Sequence, residues 1–137
     1  MPVIRGLLET ALYVEDLEHA ANFYQTLFGF ERLYEEPRLI ALAIPGRQVL
    51  LLFLKGASSG QNIVPGGLIP THDGEGRLHL AFAIESAELK QWRDLLTTSG
   101  VAIESEVIGD RGGRSLYFRD PDQNLVELAP PGLWKIY

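Results

Sequence analysis

Apolar and polar positions along the chain follow a pattern that is written twice. The first copy opens on Leu7 to Val14, an apolar, β-prone run, and Asp16 follows it with the side chain of a helix N-cap. From there Leu17, Ala20, Ala21, Tyr24, Leu27 and Phe28 recur at the spacing of one helical face, and Gly29 suits the left-handed residue that ends a helix. The spacing predicts a helix over 17–28. Three short strands are then expected, Phe30 to Glu35, Leu39 to Ile44 and Val49 to Leu54, separated by Pro37 and by Pro45-Gly46, which interrupt pairing and favour turns.

The pattern restarts at Arg77 to Ile84, a strand alternating around His79. Ser86 is the expected N-cap of a second helix with the apolar face Leu89, Trp92, Leu95 and Leu96, and Gly100 closes it. Val101 to Val107, Ser115 to Arg119 and Leu125 to Ala129 are the strands expected after it, with turns at Arg111-Gly112-Gly113-Arg114 and Asp120-Pro121-Asp122-Gln123-Asn124. Each half therefore reads βαβββ, over about 7–54 and 77–130. Between them, 55–76 carries repeated Gly and Pro and few periodic apolar positions, and reads as a connector, either linker or lid, without elements of its own.

Sliding one half along the other sets Glu9 opposite His79, Val14 opposite Ile84, Gly29 near Gly100 and Pro45 opposite Pro121. Such self-similarity implies two copies of one supersecondary unit, each with a sheet that needs a mate to bury its face. The expected fold class is α+β: one domain over 1–137, built of two βαβββ modules that form a curved mixed sheet around a cleft.

Composition narrows the functions. With 137 residues, 46% of them hydrophobic, the chain can bury its own core. The net charge is −6, and Lys and Arg are scattered rather than striped, which argues against nucleic acid as partner. No apolar run reaches the length of a membrane span, and the start Met1-Pro2-Val3-Ile4-Arg5-Gly6 lacks a signal-peptide pattern, so a cytoplasmic location without membrane partner is the expectation. There is no cysteine, so any metal must be held by His, Asp, Glu or water.

Three polar groups of ligand type interrupt apolar strands: Glu9 in Leu7–Val14, His79 in Leu78–Ile84 and Glu127 in Leu125–Ala129. An ionised carboxylate in such a run is costly unless it is exposed or paired with a cation. Ser115, Tyr117 and Arg119 alternate with Leu116 and Phe118, which turns the three to one face of a strand. His72 on the connector reads as a loop histidine or as a group over the cleft mouth, and Arg111 and Arg114 read as a solvated turn or as a grip on an anionic substrate group. Arg119 reads as structural, and His19 as solvent-facing.

The stretch Glu9 to Leu17, with Asn22-Phe23-Tyr24 and Leu27-Phe28-Gly29-Phe30, and the ending Leu116 to Leu128 resemble the vicinal oxygen chelate superfamily. That superfamily holds glyoxalases, fosfomycin-resistance and bleomycin-resistance proteins and extradiol dioxygenases. The resemblance implies Glu9, His79 and Glu127 as ligands of one divalent metal, Mn, Fe, Zn, Co or Ni, with coordination positions left open. Glu9 stands where the family commonly has His or Gln, and Gln123 where the closing turn usually has Gly. Val49–Leu54 offers no fourth ligand, because Leu51 falls opposite Glu127.

What the resemblance implies for function is a metal-dependent lyase, isomerase or dioxygenase that acts on a small oxygen-rich substrate by Lewis-acid catalysis. Tyr117, similar in place to a cleft-lining tyrosine of the fosfomycin-resistance branch, and Glu9, if it acts as general base, are the catalytic candidates. Ser115, Tyr117, His72 and Arg111 are the substrate-binding candidates. A homodimer is expected, with modules paired either within or between chains; exchange between chains would build each site from two of them. The rival reading is a metal-free binding protein of the bleomycin-resistance kind, which sequesters a small molecule.

Overall fold

The structure, a computed structural model, describes residues 1–137. The chain divides into two compact units, Met1–Glu75 and Gly76–Tyr137, and no helix is long and apolar enough to cross a membrane.

The first unit runs β1 (Glu9–Val14), α1 (Leu17–Phe28), β2 (Glu31–Glu36), β3 (Leu39–Ile44) and β4 (Gln48–Leu54), in a mixed sheet of order β1-β4-β3-β2. The helix lies where the 3.6-residue spacing places it. Asp16 caps it by accepting from the His19 N–H at 2.9 Å, and Gly29 ends it at φ 71°, in the left-handed region that glycine enters without strain. Its inward residues Ala20, Ala21, Tyr24 and Leu27 are buried, as are Leu12, Val14, Leu50 and Leu52 of the sheet. Because side chains alternate along a strand, Glu9, Ala11 and Tyr13 occupy the other face of β1, in register with Val49, Leu51 and Phe53 of β4.

The connector departs from expectation. It carries a hairpin, β5 (Asn62–Val64) with β6 (Gly67–Ile69), turned by Pro65-Gly66. The Gly and Pro content of the connector hid the three-residue strands, which are too short to show a period. The connector is also packed down. Its His72 N–H donates to the Ser58 carbonyl at 3.0 Å, and Gly74 lies so close to the Tyr13 ring that a Cβ there would run into it.

The second unit runs β7 (His79–Ala83), a single 3-10 turn over Ser86–Glu88, α2 (Leu89–Thr98), β8 (Ser105–Ile108), β9 (Arg114–Arg119) and β10 (Leu125–Ala129), in the order β7-β10-β9-β8. Ser86 does not cap the helix. Extended Glu85 precedes the 3-10 turn, and no side-chain cap bond forms. The strand expected from Val101 is shorter than its apolar pattern: pairing begins at Ser105, and Val101 is instead tied to the helix end through its N–H to the Leu96 carbonyl at 2.9 Å. Leu116, Phe118, Val126 and Leu128 form the buried face, joined by Leu96 from α2.

The registers give the internal repeat its residue-level form. In the first unit Glu9 pairs with Val49, Ala11 with Leu51 and Ala41 with Leu51; in the second His79 pairs with Leu125, Ala81 with Glu127 and Tyr117 with Glu127. His79, Glu127 and Tyr117 thus correspond to Glu9, Leu51 and Ala41. The repeat keeps its polar chemistry in the second sheet and only Glu9 in the first.

Candidate metal centre

Glu127 is set in place by the turn before it. Asp120 Oδ1 accepts from the Asp122 N–H at 2.9 Å and from the Asn124 N–H at 2.8 Å, and Oδ2 accepts from Asn124 Nδ2 at 2.9 Å. Asn124 Oδ1 in turn accepts from the Leu78 N–H at 2.9 Å, and the Leu125 N–H donates to the Leu78 carbonyl at 2.8 Å. Asp120 and Asn124 are both buried, so these bonds lock the starts of β7 and β10 together. Gln123 sits at φ 67°, the left-handed conformation that explains a glycine preference at this position. These two positioning residues were absent from the sequence-derived site, although their capacity for Asx-type bonding was the available signal.

From that turn the pleat aims Glu127 to the same sheet face as Tyr117, its direct partner across β9. His79, one diagonal step away on β7, brings Nε2 to 3.3 Å from Glu127 Oε1. Its Nδ1 is 2.9 Å from the Leu125 carbonyl. A carbonyl only accepts, so Nδ1 carries a proton and, in the neutral ring, Nε2 is left with a lone pair. Two lone-pair atoms at 3.3 Å then face one another. That arrangement is repulsive unless a cation, a proton or a metal ion, lies between them.

Glu127 is almost wholly buried, and its Oε2 finds no partner in hydrogen-bond geometry; nor does the buried Ser115 Oγ on the same face. A buried, under-satisfied carboxylate oxygen beside an oriented imidazole is a donor set that fits a divalent ion, and the carbonyl bond to His79 Nδ1 is the kind of outer support that orients a metal-binding histidine. The Tyr117 ring stacks near His79, with centroids 6.4 Å apart and planes 25° from parallel. Burial raises the Tyr117 hydroxyl above its ordinary value, the neighbouring Glu127 carboxylate raises it further, and Ser115 pulls the other way. At neutral pH the hydroxyl keeps its proton and is a donor.

The remaining sequence candidates lie elsewhere. Glu9 is exposed on β1, the edge strand of the first sheet. No group of three His, Asp or Glu side chains gathers at metal-holding distance, so the pair of His79 and Glu127 is what the second unit assembles by itself. His72 belongs to the first unit and is half-buried rather than free in the loop, sharing a 2.7 Å hydrogen bond with the Tyr13 hydroxyl through Nδ1. Arg111 is exposed in the turn between β8 and β9, and exposed Arg114 opens β9. Arg119 is structural: Nε donates to Glu104 at 2.8 Å and Nη1 to the Gln123 carbonyl at 3.1 Å. His19 is exposed.

Two βαβββ units of matching strand order, one carrying an oriented imidazole against a buried carboxylate, define the class of protein. The sequence model of the Glyoxalase/Bleomycin resistance protein/Dioxygenase superfamily matches residues 6–128, and the chain belongs to that superfamily. It is similar to the crystal structure of lactoylglutathione lyase from Agrobacterium tumefaciens, at 34% identity and TM-score 0.88, covering 96% of this chain and 98% of that one. It is 29% identical over 132 residues to the fosfomycin resistance protein FosX of Listeria monocytogenes, covering 92% of this chain and 90% of that protein. The metallothiol transferase FosB of Staphylococcus saprophyticus is 25% identical over 127 residues, covering 92% of this chain and 77% of that protein.

Proposed function

We propose that the protein is a metal-dependent enzyme of the lyase, isomerase or dioxygenase kind, acting on a small oxygen-rich substrate, with Glu9, His79 and Glu127 as ligands of one divalent ion. The observation that carries this reading is His79 Nε2 lying 3.3 Å from the buried Glu127 carboxylate, whose second oxygen has no hydrogen-bond partner, while Nδ1 is held by the Leu125 carbonyl. The names of its relatives, a lactoylglutathione lyase and a metallothiol transferase among them, support enzymatic and metal chemistry. Glu9 is the third ligand and comes to the pair from the other kind of unit, in the same chain or in a second copy. The set of two carboxylates and one imidazole suits Mn, Fe, Zn, Co or Ni.

When bound, such an ion supplies Lewis acidity toward a substrate oxygen. The chain's own groups do the rest. Tyr117, protonated at neutral pH, donates its hydroxyl hydrogen to a substrate oxygen, and Ser115 on the same face offers a second hydroxyl. Glu9 acts as general base if it leaves the metal. Titration of chelator-stripped, untagged protein with each of the five ions by calorimetry is the test. Binding near one equivalent is expected, and none from any ion would give way to the metal-free binding reading. Tyr117→Phe should keep the fold and the metal affinity while lowering substrate turnover by about 10-fold or more; unchanged turnover would show the hydroxyl idle.

We also propose a homodimer. β1 and β7 are each an open edge of their own sheet, and Ile4, Leu7 and Leu8 leave apolar surface exposed next to β1. Light scattering at micromolar concentration should give twice the 15.2 kDa chain mass. The mass of one chain would refute the dimer.

A further inference from the structure

The first unit contains a partly open cavity of about 160 Å³ that the metal reading leaves unused. It lies between the outer part of the sheet and the folded connector, with Tyr34, Glu36, Phe53, Ser58 and His72 among its walls. Its position follows from the pleat. Phe53 pairs with Tyr13 and Val49 with Glu9, so Phe53 and Glu9 share one face of the sheet, four residues apart in register, or about 13 Å at the usual rise per residue.

The wall is built rather than loosely draped. His72 Nδ1 is held by the Tyr13 hydroxyl, its ring meets Phe53 edge-on at a centroid distance of 4.5 Å, and its N–H is fixed on the Ser58 carbonyl. Gly74 brings the connector down onto the Tyr13 ring, which stacks on Phe53 at 5.8 Å. Size and charge then restrict the occupant. A space of this volume compares with the roughly 150 Å³ cavities that take a single benzene ring. The charged groups of the wall cancel, because Arg38 Nη2 donates to Glu36 Oε1 at 2.9 Å. Because the pair neutralises itself, an ionic ligand would lose hydration with no net charge of the wall to offset it, whereas a neutral group with donor and acceptor can use the remaining donors of Arg38, the second oxygen of Glu36 and the hydroxyl of Ser58.

We propose that this cavity binds one uncharged six-membered ring bearing a hydroxyl or a comparable hydrogen-bonding group, as the far end of a substrate whose reacting oxygens lie toward Glu9. The link to Glu9 rests on the metal reading; the ring site itself does not. The test uses chelator-stripped protein, followed by NMR of the aromatic and imidazole signals during titration with phenol and, in parallel, with benzoate. Phenol should give saturable shifts at Phe53 and His72, with benzoate at least about 5-fold weaker. Ile69→Trp, which fills the cavity from an exposed position on β6, should weaken phenol by about 10-fold or more at an unchanged melting temperature, with Val64→Trp as a second filling variant should the first not fold. Absence of saturation, equal affinity for benzoate, or phenol affinity indifferent to filling would overturn the proposal. Since no metal is present in these titrations, their failure leaves the metal reading standing, and a failed metal titration leaves the ring site standing.

Discussion

Glu127→Gln is expected to make the metal-free protein more stable while removing its response to metal. In the parent, a nearly fully buried carboxylate has one oxygen 3.3 Å from His79 Nε2 and the other without a partner. Burying such a group without compensation costs about 1–3 kcal/mol, so an uncharged isostere should raise the stability of the stripped protein by about 1–2 kcal/mol. Metal reverses the order. An ion that binds only the folded state stabilises it by about 2.7 kcal/mol at a concentration 100 times its dissociation constant, and this gain should appear in the parent and vanish in Glu127→Gln. Urea unfolding of both proteins, stripped and then metal-loaded, measures all four values. Equal metal-induced shifts in the two proteins would remove Glu127 from the ligand set. Glu9→Ala and His79→Ala should lose the metal response as well, and retention of it in all three variants would end the triad assignment.

The second large effect is expected where the chain after β10 crosses the turn before β9. Gly132 sits at φ 101°, and a Cβ added there would lie 2.7 Å from the Gly113 backbone nitrogen and 3.0 Å from the Arg111 carbonyl oxygen. The Gly113 N–H donates to the Gly132 carbonyl at 2.9 Å, and a Cβ on Gly113 would in turn come within 2.8 Å of the Pro131 oxygen. Here two backbones touch, and no side chain can swing aside. Backbone strain and overpacking each cost about 1–3 kcal/mol, so Gly132→Ala should destabilise by about 3 kcal/mol. Gly66→Ala, with open space around its Cβ and no positive φ, is the control and should stay within about 1 kcal/mol of the parent. Because the Gly109–Gly113 turn leads into β9, the substitution should also disturb Tyr117. Denaturant midpoints decide the matter, and a Gly132→Ala midpoint equal to that of Gly66→Ala would sink the account.

Much of this protein was legible before its structure. Helix 17–28 was readable because its apolar spacing, its Asp16 cap and its terminal Gly29 act within a few residues of one another. The twofold βαβββ plan was readable because each strand is an apolar run between strong turn signals, and the correspondence of Leu51 with Glu127 anticipated the sheet registers. Where the reading slipped, tertiary pairing had overruled local pattern. In the Val101 run the paired strand begins only at Ser105, since Val101 is drawn to the end of α2, and the hairpin in the connector is too short to carry a period of its own.

For the candidate site, the placing of Glu9, His79 and Glu127 on their strands and the facing of Tyr117 follow from the chain's own pattern, because the alternation of a strand assigns faces without reference to anything else. The fold was needed to commit His79 Nδ1 to the Leu125 carbonyl, with Nε2 toward Glu127, and to tie the two strands in that register through Asp120 and Asn124. It also set His72 in the wall of a cavity formed with Phe53. Those outcomes depend on which strand lies beside which, and pairing between residues some 46 to 59 positions apart leaves no periodic trace in the sequence.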